Sequence, residues 1–373
     1  MKIAVNTRLL LKDRLEGIGW FTYETLKRIA QKHTEHEFIF MFDREYSDEF
    51  IFSSNINPVI VRPPARHPTL WYLWLEYSVP RVLKKYNADL FLSPDGFLSL
   101  STDIPSLNVI HDINFFHRPE DVPFVSRKYY NHYFPLFARK AKRIGTVSEY
   151  SKNDICESYN IDADKIDVLY NGSNNIYSPL SNEEKEITKK NYSQDCEYFV
   201  FIGSLHPRKN VPRLLKAFDS FRKTGDNNIK LVIVGSTMWK NAEMKKILTS
   251  MEYRNEVIFT GRLSPGDLHK VLGAALALTF VPTFEGFGIP VLEAMYCDTP
   301  VLTSDATSIP EVGGDAVLYA DPYSVDSIKD GMVKISGDKE LRGSLIEKAG
   351  EQRKKFSWDK SADNLWKCIE KCM

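Results

Sequence analysis

Two glutamates eight positions apart, Glu285 and Glu293, are candidates for binding a ligand with several hydroxyl groups. Between them lie Gly286, Phe287 and Gly288. Carboxylates accept hydrogen bonds from hydroxyl groups, and glycines let the backbone approach a ligand that a Cβ atom would hold away. This spacing therefore predicts a site for a polyhydroxylated ligand.

The elements around this segment would also suit a phosphate. The apolar residues 274–281 predict a buried strand, residues 289–297 predict a short helix, and E-G-F-G forms the turn between them. The first N–H groups of a helix are unpaired and carry the positive end of its dipole, which attracts anions. Glu285 would stand on the turn and Glu293 about one helical turn further. The alternative is an ordinary strand–turn–helix in which Glu293 is only a helix-start charge.

Two adjacent cations follow another predicted strand. Residues 198–202 are apolar, Gly203 opens a loop, and Arg208 and Lys209 come just before a helical pattern. At a helix start these cations are opposed by each other and by the helix dipole, and a bound anion would reverse that effect. We expect a phosphate group there, with a solvated basic turn as the alternative.

Weaker candidates occur in the first half of the chain. His111 follows the apolar residues 107–110, where a lone histidine is more often structural than catalytic. Gly17 and Gly19 stand in G-I-G-W-F-T, which comes after the first predicted strand. That run lacks the third glycine of a dinucleotide fingerprint, which argues against an NAD-dependent dehydrogenase.

One motif that could hold a metal ion is interpreted as a turn. Asp162–Ala163–Asp164 spells D-x-D, but it lies in a polar stretch between a predicted helix and a predicted strand. The sequence contains no other His, Cys or Asp cluster with metal-ligand spacing. We therefore predict no metal site.

The whole chain alternates short apolar strands with helical patterns. Its 373 residues exceed what one core usually supports, so two domains are expected. The pattern predicts an α/β fold of two doubly wound Rossmann-like domains that face a central cleft. The helical patterns outside the glutamate segment are clearest at 20–30 and 71–86. The predicted strands are 3–5, 38–42, 59–61, 90–92, 107–110 and 144–147, then 198–202, 230–234, 257–260, 275–281, 301–303 and 316–319.

Turn residues mark a linker between the two halves. They lie around 171–172 and at Pro179, which places the boundary near residue 176. The predicted domains are 1–175 and 176–356, and residues 357–373 form a closing amphipathic helix.

Composition excludes several classes of protein. Lysine plus arginine and aspartate plus glutamate both number 49, which argues against a nucleic-acid binder. The five cysteines are an odd number without ligand spacing, so we expect a reducing compartment and no disulfide framework. The first residues predict a strand entry rather than a signal peptide, and no apolar stretch approaches the roughly 20 residues of a membrane span. We expect a cytoplasmic protein.

Several motifs together resemble one enzyme family. They are E-G-F-G-I-P-V-L-E, H-P-R-K-N, the H-D after residue 110, V-L-Y-N-G and T-G-R-L. They resemble retaining nucleotide-sugar glycosyltransferases with two Rossmann-like domains (GT-B), carbohydrate-active-enzyme family four, and in particular mannosyltransferases. The resemblance implies a second domain that binds the donor, a first domain on the acceptor side, and a closing helix that crosses back onto the first domain.

The resemblance also implies roles for individual residues. Arg208 and Lys209 would hold the donor diphosphate, Glu293 the ribose hydroxyls and Glu285 the hydroxyls of the donor sugar. His111 would lie beside that sugar at the reaction centre. Gly17 and Gly19 match the glycine loop after the first strand of these enzymes and would let that loop approach the phosphates or the acceptor. The other matching positions at the donor are Gly203, Arg262, Leu263, Gly286, Phe287 and Gly288.

The expected activity is metal-independent transfer of a hexose with retention of its anomeric configuration. Mannose is favoured, from GDP-mannose or another nucleoside-diphosphate hexose, and no separate cofactor is expected. The acceptor would be a glycan or a lipid-linked glycan in cell-surface polysaccharide synthesis. The alternatives are a nucleotide-sugar epimerase of the same fold and a non-catalytic partner that binds sugar nucleotides.

Residues 127–143 could contact a membrane. They contain six lysines or arginines, five aromatic residues and no acid, a composition that anionic lipid attracts. Peripheral contact with the inner face of the cytoplasmic membrane is one interpretation. The other is a helix, interrupted at Pro135, whose aromatic residues face the core of the first domain.

Overall fold

The computed structural model of the protein describes residues 1–12, 14–225, 228–235 and 242–373. These residues divide into two compact units. The first unit contains Met1–Gly172 together with Ser357–Met373, and the second contains Ser173–Phe356. The predicted boundary near residue 176 lies close to this division.

The first unit contains a parallel sheet of seven strands, counted over its described residues, in the order β3-β2-β1-β4-β5-β6-β7. The chain runs outward from β1 to β3 and then returns to β4 on the other side of β1. In sheets of this kind, ligands bind beyond the carboxyl ends of the strands at the point where the order reverses. The strands are β1 (Lys2–Asn6), β2 (Glu37–Phe42), β3 (Ile56–Ile60), β4 (Leu90–Ser93), β5 (Ser106–Val109), β6 (Arg143–Thr146) and β7 (Ile166–Val168).

The second unit repeats this topology over its described residues with a six-stranded parallel sheet in the order β10-β9-β8-β11-β12-β13. Its order reverses between β8 and β11. Every strand predicted from the sequence is found within a few residues of its predicted position, so the fold class of two doubly wound domains is confirmed. The strands are β8 (Tyr198–Ile202), β9 (Lys230–Val234), β10 (Val257–Gly261), β11 (Ala277–Phe280), β12 (Val301–Ser304) and β13 (Leu318–Ala320).

Helices connect the strands of both units, and the helices predicted at 20–30, 71–86 and 289–297 are confirmed. A π-helical turn, Trp74–Ser78, joins α2 to α3. The helices are α1 (Gly17–Lys32), α2 (Pro68–Leu73), α3 (Val79–Tyr86), α4 (Asn114–His117), α5 (Phe124–Lys140), α6 (Glu149–Tyr159), α7 (Asn182–Ser193), α8 (Val211–Arg222), α9 (Ala242–Ser250), α10 (Pro265–Gly273), α11 (Ile289–Tyr296), α12 (Ile309–Gly313), α13 (Val325–Gly337), α14 (Lys339–Gln352) and α15 (Trp358–Glu370).

The closing helix α15 packs within the first unit. Arg28 on α1 donates from Nε to Asp359 Oδ1 at 2.6 Å, and Lys32 donates to Asp363 Oδ1 at 2.6 Å. The buried Leu365 and Ile369 lie on the same helix, so its apolar side faces the core. The end of the chain is thereby part of the first unit.

The predicted glycine loop at Gly17 and Gly19 is wrong. Both residues lie in the first turn of α1. A Cβ atom on Gly19 would stand 3.0 Å from the carbonyl oxygen of Leu9 and 3.2 Å from Leu15 Cδ2. The small residue at this position is therefore accounted for by close packing of the helix start against the preceding chain. A contact of this pair with phosphate or acceptor stays a prediction.

The basic and aromatic segment 127–143 forms most of α5, which continues through Pro135. The predicted interruption of the helix is therefore wrong. Tyr129, Phe134 and Phe137 are buried in the core of the first unit. The aromatic side chains thus follow the core-facing interpretation, and membrane contact by this segment stays a prediction. None of the helices that the structure describes has the length and apolar character needed to cross a bilayer.

Candidate active site

The predicted strand, turn and helix around the two glutamates are confirmed. β11 ends at Phe280 and α11 begins at Ile289. Gly288 caps α11 with a φ of +104°, a backbone conformation that residues other than glycine rarely adopt. A Cβ atom there would also stand 2.6 Å from Ile309 Cδ1. The glycine thus permits the sharp entry from the turn into the helix.

Glu285 meets both predicted phosphate-binding cations. Its Oε1 atom lies 3.0 Å from Arg208 Nη1 and also accepts a hydrogen bond from Lys209 Nζ. The side chains are 20% exposed in Arg208, 11% in Lys209 and 8% in Glu285, so solvent screens these charges only weakly. Arg208 and Lys209 follow β8 and Glu285 follows β11, which places the cluster at the reversal point of the second sheet.

Backbone contacts fix the loops that carry this cluster. Arg208 donates from Nη1 to the carbonyl oxygen of Phe284 at 3.0 Å, and the Thr283 N–H donates to the carbonyl oxygen of Arg208 at 2.8 Å. On the other side, the Glu285 N–H donates to Thr307 Oγ1 at 3.0 Å and Ser308 Oγ donates to the Glu285 carbonyl at 2.9 Å. The loops after β8, β11 and β12 are therefore held together.

The cluster keeps Glu285 ionised. Burial by itself raises the pKa of this carboxyl, but the positive charges of Arg208 and Lys209 outweigh burial and lower the pKa below its ordinary value. One carboxylate between two cations leaves a net charge of about one positive unit. The cluster therefore still attracts a further anion, although it already contains the Glu285 carboxylate.

Glu293 has the opposite electrostatic surroundings. It lies on α11, and the hydroxyl of Tyr177 lies close to its carboxyl. Burial raises the pKa of Glu293 to about 8, although the neighbouring Tyr177 hydroxyl opposes that rise. At neutral pH this carboxyl is therefore mostly protonated and can donate one hydrogen bond as well as accept.

Tyr177 is a partner that the sequence did not indicate. It lies in the polar stretch that was interpreted as a linker, yet its side chain is buried. The sequence could have indicated this burial, because a large aromatic side chain two positions before Pro179 is unusual in a solvated linker. The start of the second unit thus contributes to the surroundings of Glu293.

The remaining predicted donor residues lie at the carboxyl ends of neighbouring strands. Gly203 directly follows β8, and its N–H donates to the Val234 carbonyl at 3.0 Å. Arg262, which is exposed, and Leu263 follow β10, which β9 separates from β8. Gly286 and Phe287 complete the buried turn before Gly288. The structure thus brings Arg208 and Lys209 to Glu285, whereas Arg262 and Leu263 lie two strands from β8.

His111 lies in the first unit, just beyond β5. Its Nε2 atom is 2.9 Å from the carbonyl oxygen of Pro94, and its ring meets Phe21 edge to face. Because a carbonyl can only accept, Nε2 carries the proton and Nδ1 is left as an acceptor. Burial lowers the pKa of His111, so the neutral form prevails. The side chain can therefore accept a hydrogen bond from a hydroxyl group.

A buried ion pair near His111 was not predicted. Arg8 Nε donates to Asp95 Oδ2 at 2.5 Å, and Asn6 Nδ2 donates to Asp95 Oδ1 at 2.9 Å. Asn6 is the last residue of β1, Arg8 follows β1 and Asp95 follows β4, at the reversal point of the first sheet. The sequence contained a signal for this pair, because Arg8 and Asp95 both come soon after apolar strands, where ligand-binding residues are expected. The Pro94 carbonyl that orients His111 belongs to the same loop.

Thr307 is a further residue that sequence patterns did not reveal. Its φ is +55°, in the left-handed region that β-branched residues rarely occupy. Its hydroxyl accepts the Glu285 N–H, so the strained residue supports the ion cluster directly. Backbone strain of this kind costs roughly 1–3 kcal/mol and is concentrated at functional sites.

The D-x-D motif forms the turn that was predicted. Asp162 caps a short 3₁₀ helix by accepting the Asp164 N–H at 2.9 Å, and all three residues are exposed. Elsewhere in the described ranges, no three His, Cys, Asp or Glu side chains gather into a possible metal site. Metal independence of the chemistry stays a prediction.

Two family models match the chain, and together they span most of it. "Glycosyl transferases group 1" matches residues 182–352, and "Glycosyltransferase Family 4" matches residues 15–174. The chain belongs to the GT-B glycosyltransferases of this group. The matched ranges include His111 in the first unit and the cluster of Arg208, Lys209 and Glu285 in the second.

Curated glycosyltransferases resemble the chain over much of its length. The O-antigen chain mannosyltransferase B of Escherichia coli is 28% identical over 370 residues, which are 96% of this chain and 97% of that protein. The O-antigen chain mannosyltransferase RfbU of Salmonella typhimurium is 28% identical over 256 residues, which are 68% and 67% of the two chains.

Solved glycosyltransferase structures share the fold. WaaG is a glycosyltransferase involved in lipopolysaccharide biosynthesis, and it superposes with a TM-score of 0.75 at 18% identity. The superposition covers 97% of this chain and 98% of the WaaG chain. Anabaena Alr3699/HepE in complex with UDP and glucose superposes with a TM-score of 0.78 at 16% identity and covers 99% of both chains. At these identities the likeness concerns the fold alone.

Replacing Glu293 with glutamine should remove a pH dependence of stability from this glycosyltransferase. The pKa of Glu293 is raised from 4.5 to about 8, so the folded protein binds this proton more tightly than the unfolded chain does. The stabilising effect is complete below about pH 4.5 and is lost as the pH rises towards 8. Relative to the wild type, the variant should therefore gain on the order of 4 kcal/mol in free energy of unfolding across that interval.

Denaturant unfolding at several pH values measures this change. Glu347→Gln, at an exposed position on α14, is the matched control and should follow the wild type at every pH. A constant difference between Glu293→Gln and the wild type from pH 5 to pH 8 would contradict the raised pKa.

Proposed function

We propose that the protein is a retaining, metal-independent hexosyltransferase that uses a nucleoside-diphosphate hexose, with mannose the favoured sugar. The observation that carries the proposal is the buried cluster of Arg208, Lys209 and Glu285 at the reversal point of the second sheet. Two relatives that are named O-antigen chain mannosyltransferases support the choice of sugar and a role in cell-surface polysaccharide synthesis. The acceptor would be a glycan or a lipid-linked glycan.

The cations would act on the leaving diphosphate. As the glycosidic bond breaks, negative charge grows on the phosphate oxygen that departs. Fixed positive groups with little solvent around them stabilise such charge more than water does. Arg208 and Lys209 supply the charges, and the positive end of the α11 dipole adds to them. The leaving phosphate would then take the proton of the acceptor hydroxyl.

The other residues would position the donor. Glu293, mostly protonated, can both donate to and accept from the ribose hydroxyls. Glu285 would accept from hydroxyls of the donor sugar, and His111 would accept from another hydroxyl through Nδ1. The ligand in these assignments follows from the resemblance, and the hydrogen-bonding roles follow from the pKa shifts of the two glutamates and from the contact of His111 with Pro94.

Product analysis with a panel of nucleotide sugars tests the proposal. Purified protein, glycan or lipid-linked acceptor and excess chelator should release nucleoside diphosphate and extend the acceptor by one hexose. Proton NMR of the product should show the same anomeric configuration as the donor. An altered nucleotide sugar formed without acceptor, an inverted linkage, or activity that requires added magnesium or manganese would contradict the corresponding part of the proposal.

Removing either cation should slow transfer strongly. Arg208→Ala and Lys209→Ala should each lower kcat by about a hundredfold or more, the scale found when one preorganised charge donor is lost. Steady-state kinetics measures the change, and circular dichroism checks the fold. Lys216→Ala removes an exposed cation from α8 and should leave kcat within about twofold. Full turnover in both cation variants would contradict the assigned role.

We also propose that the protein works at the inner face of the cytoplasmic membrane through the start of α5. Phe124 and Val125 are more than half exposed there, and Lys128 lies over the Phe124 ring at 4.5 Å. Exposed apolar side chains beside cations suit an anionic lipid surface, to which each cation contributes about 1 kcal/mol.

Sedimentation with vesicles that contain anionic lipid tests this contact. The wild type should sediment at low salt and less at high salt, and Phe124→Ser with Lys128→Glu should abolish sedimentation. Lys348→Glu, an exposed change on α14, is the control for net charge. Equal sedimentation of all three proteins, or none for the wild type, would refute the contact.

A further inference from the structure

Glu285 already pairs with the two cations that the proposed function assigns to the donor diphosphate. We infer that Glu285 is an internal counter-ion that makes the site select a nucleoside diphosphate that carries a sugar over the bare nucleoside diphosphate. The inference rests on the proposed function and gives Glu285 a second effect, on the discrimination between donor and product.

The first support is the geometry of the pair. Both Arg208 Nη1 and Lys209 Nζ meet the same oxygen, Glu285 Oε1, so the carboxylate lies where a phosphate oxygen between the two cations would lie. All three side chains are mostly buried. An interaction between charges is several times stronger in such surroundings than in water.

The second support is the fixed backbone of Glu285. Its N–H donates a hydrogen bond to Thr307 Oγ1, and its carbonyl oxygen accepts one from Ser308 Oγ. The backbone of Glu285 is therefore fixed on both sides of its Cα atom. The side chain can rotate, but the carboxylate remains within side-chain reach of the cations. Any phosphate that binds Arg208 and Lys209 must therefore bind beside this negative charge.

The consequence differs for the two nucleotides. A bare nucleoside diphosphate adds negative charge next to Glu285, and it offers no sugar hydroxyl to the carboxylate. A nucleoside-diphosphate hexose carries less charge on its phosphates, and its hydroxyls can donate to Glu285. The donor should therefore bind more tightly than the product, and loss of the sugar should favour release of the product.

Calorimetry of the purified protein tests the inference without turnover. The ligands are UDP, GDP, UDP-glucose and GDP-mannose, each titrated into the wild type, Glu285→Gln and Asp305→Asn. Glutamine keeps the shape of the side chain and can still accept from the cations, but it removes the charge. Glu285→Gln should bind the bare nucleoside diphosphate about tenfold more tightly than the wild type and should bind the matching nucleotide sugar no more tightly. Asp305→Asn removes one exposed negative charge in the loop after β12 and should change neither affinity.

Three results would overturn the inference. The first is unchanged or weaker binding of the bare nucleoside diphosphate to Glu285→Gln. The second is the same gain in Asp305→Asn, because net charge alone would then explain it. The third is a wild-type protein that binds the bare nucleoside diphosphate as tightly as the nucleotide sugar, a measurement that needs no variant. Failure of the proposed function differs from these, since the wild type would then bind none of the four ligands and transfer no sugar.

Discussion

The contact of Glu285 with Arg208 and Lys209 is the interaction on which the second unit's site depends. It joins the loop after β8 to the loop after β11 across the point where the sheet order reverses. Removing Glu285 would leave two buried cations without their counter-ion, which is costly in a poorly solvated place. The backbone contacts of Phe284, Thr307 and Ser308 therefore serve to hold these three charges at fixed distances.

The two units share a topology but differ in the charge at their reversal points. In the first unit, Arg8 and Asp95 pair one to one and leave no net charge. In the second unit, two cations share one carboxylate, so a positive charge remains. A diphosphate is attracted by the second arrangement and not by the first. The same fold thus carries a positively charged cluster in one unit and a neutral ion pair in the other.

Several features of the fold could be predicted because buried parallel strands appear as short apolar runs, and each run here lies close to its predicted place. The errors have equally local causes. Two glycines spaced by one residue suit a loop or the first turn of a helix, and only the packing of Gly19 against Leu9 decides for α1. Pro135 is compatible with a helix when the rest of α5 is held by buried aromatic residues.

By itself, the sequence determined which groups could bind an anion and hydroxyl groups, because residue types and strand ends are local properties. The tertiary structure decided which of those groups meet. Lys209 and Glu285 are 76 positions apart, and nothing in either segment says that they share a hydrogen bond. The pKa values of the two glutamates of one motif likewise shift in opposite directions. Arg208 and Lys209 lower the pKa of Glu285, whereas burial raises the pKa of Glu293. A pKa depends on neighbours in space, and those neighbours exist only after folding.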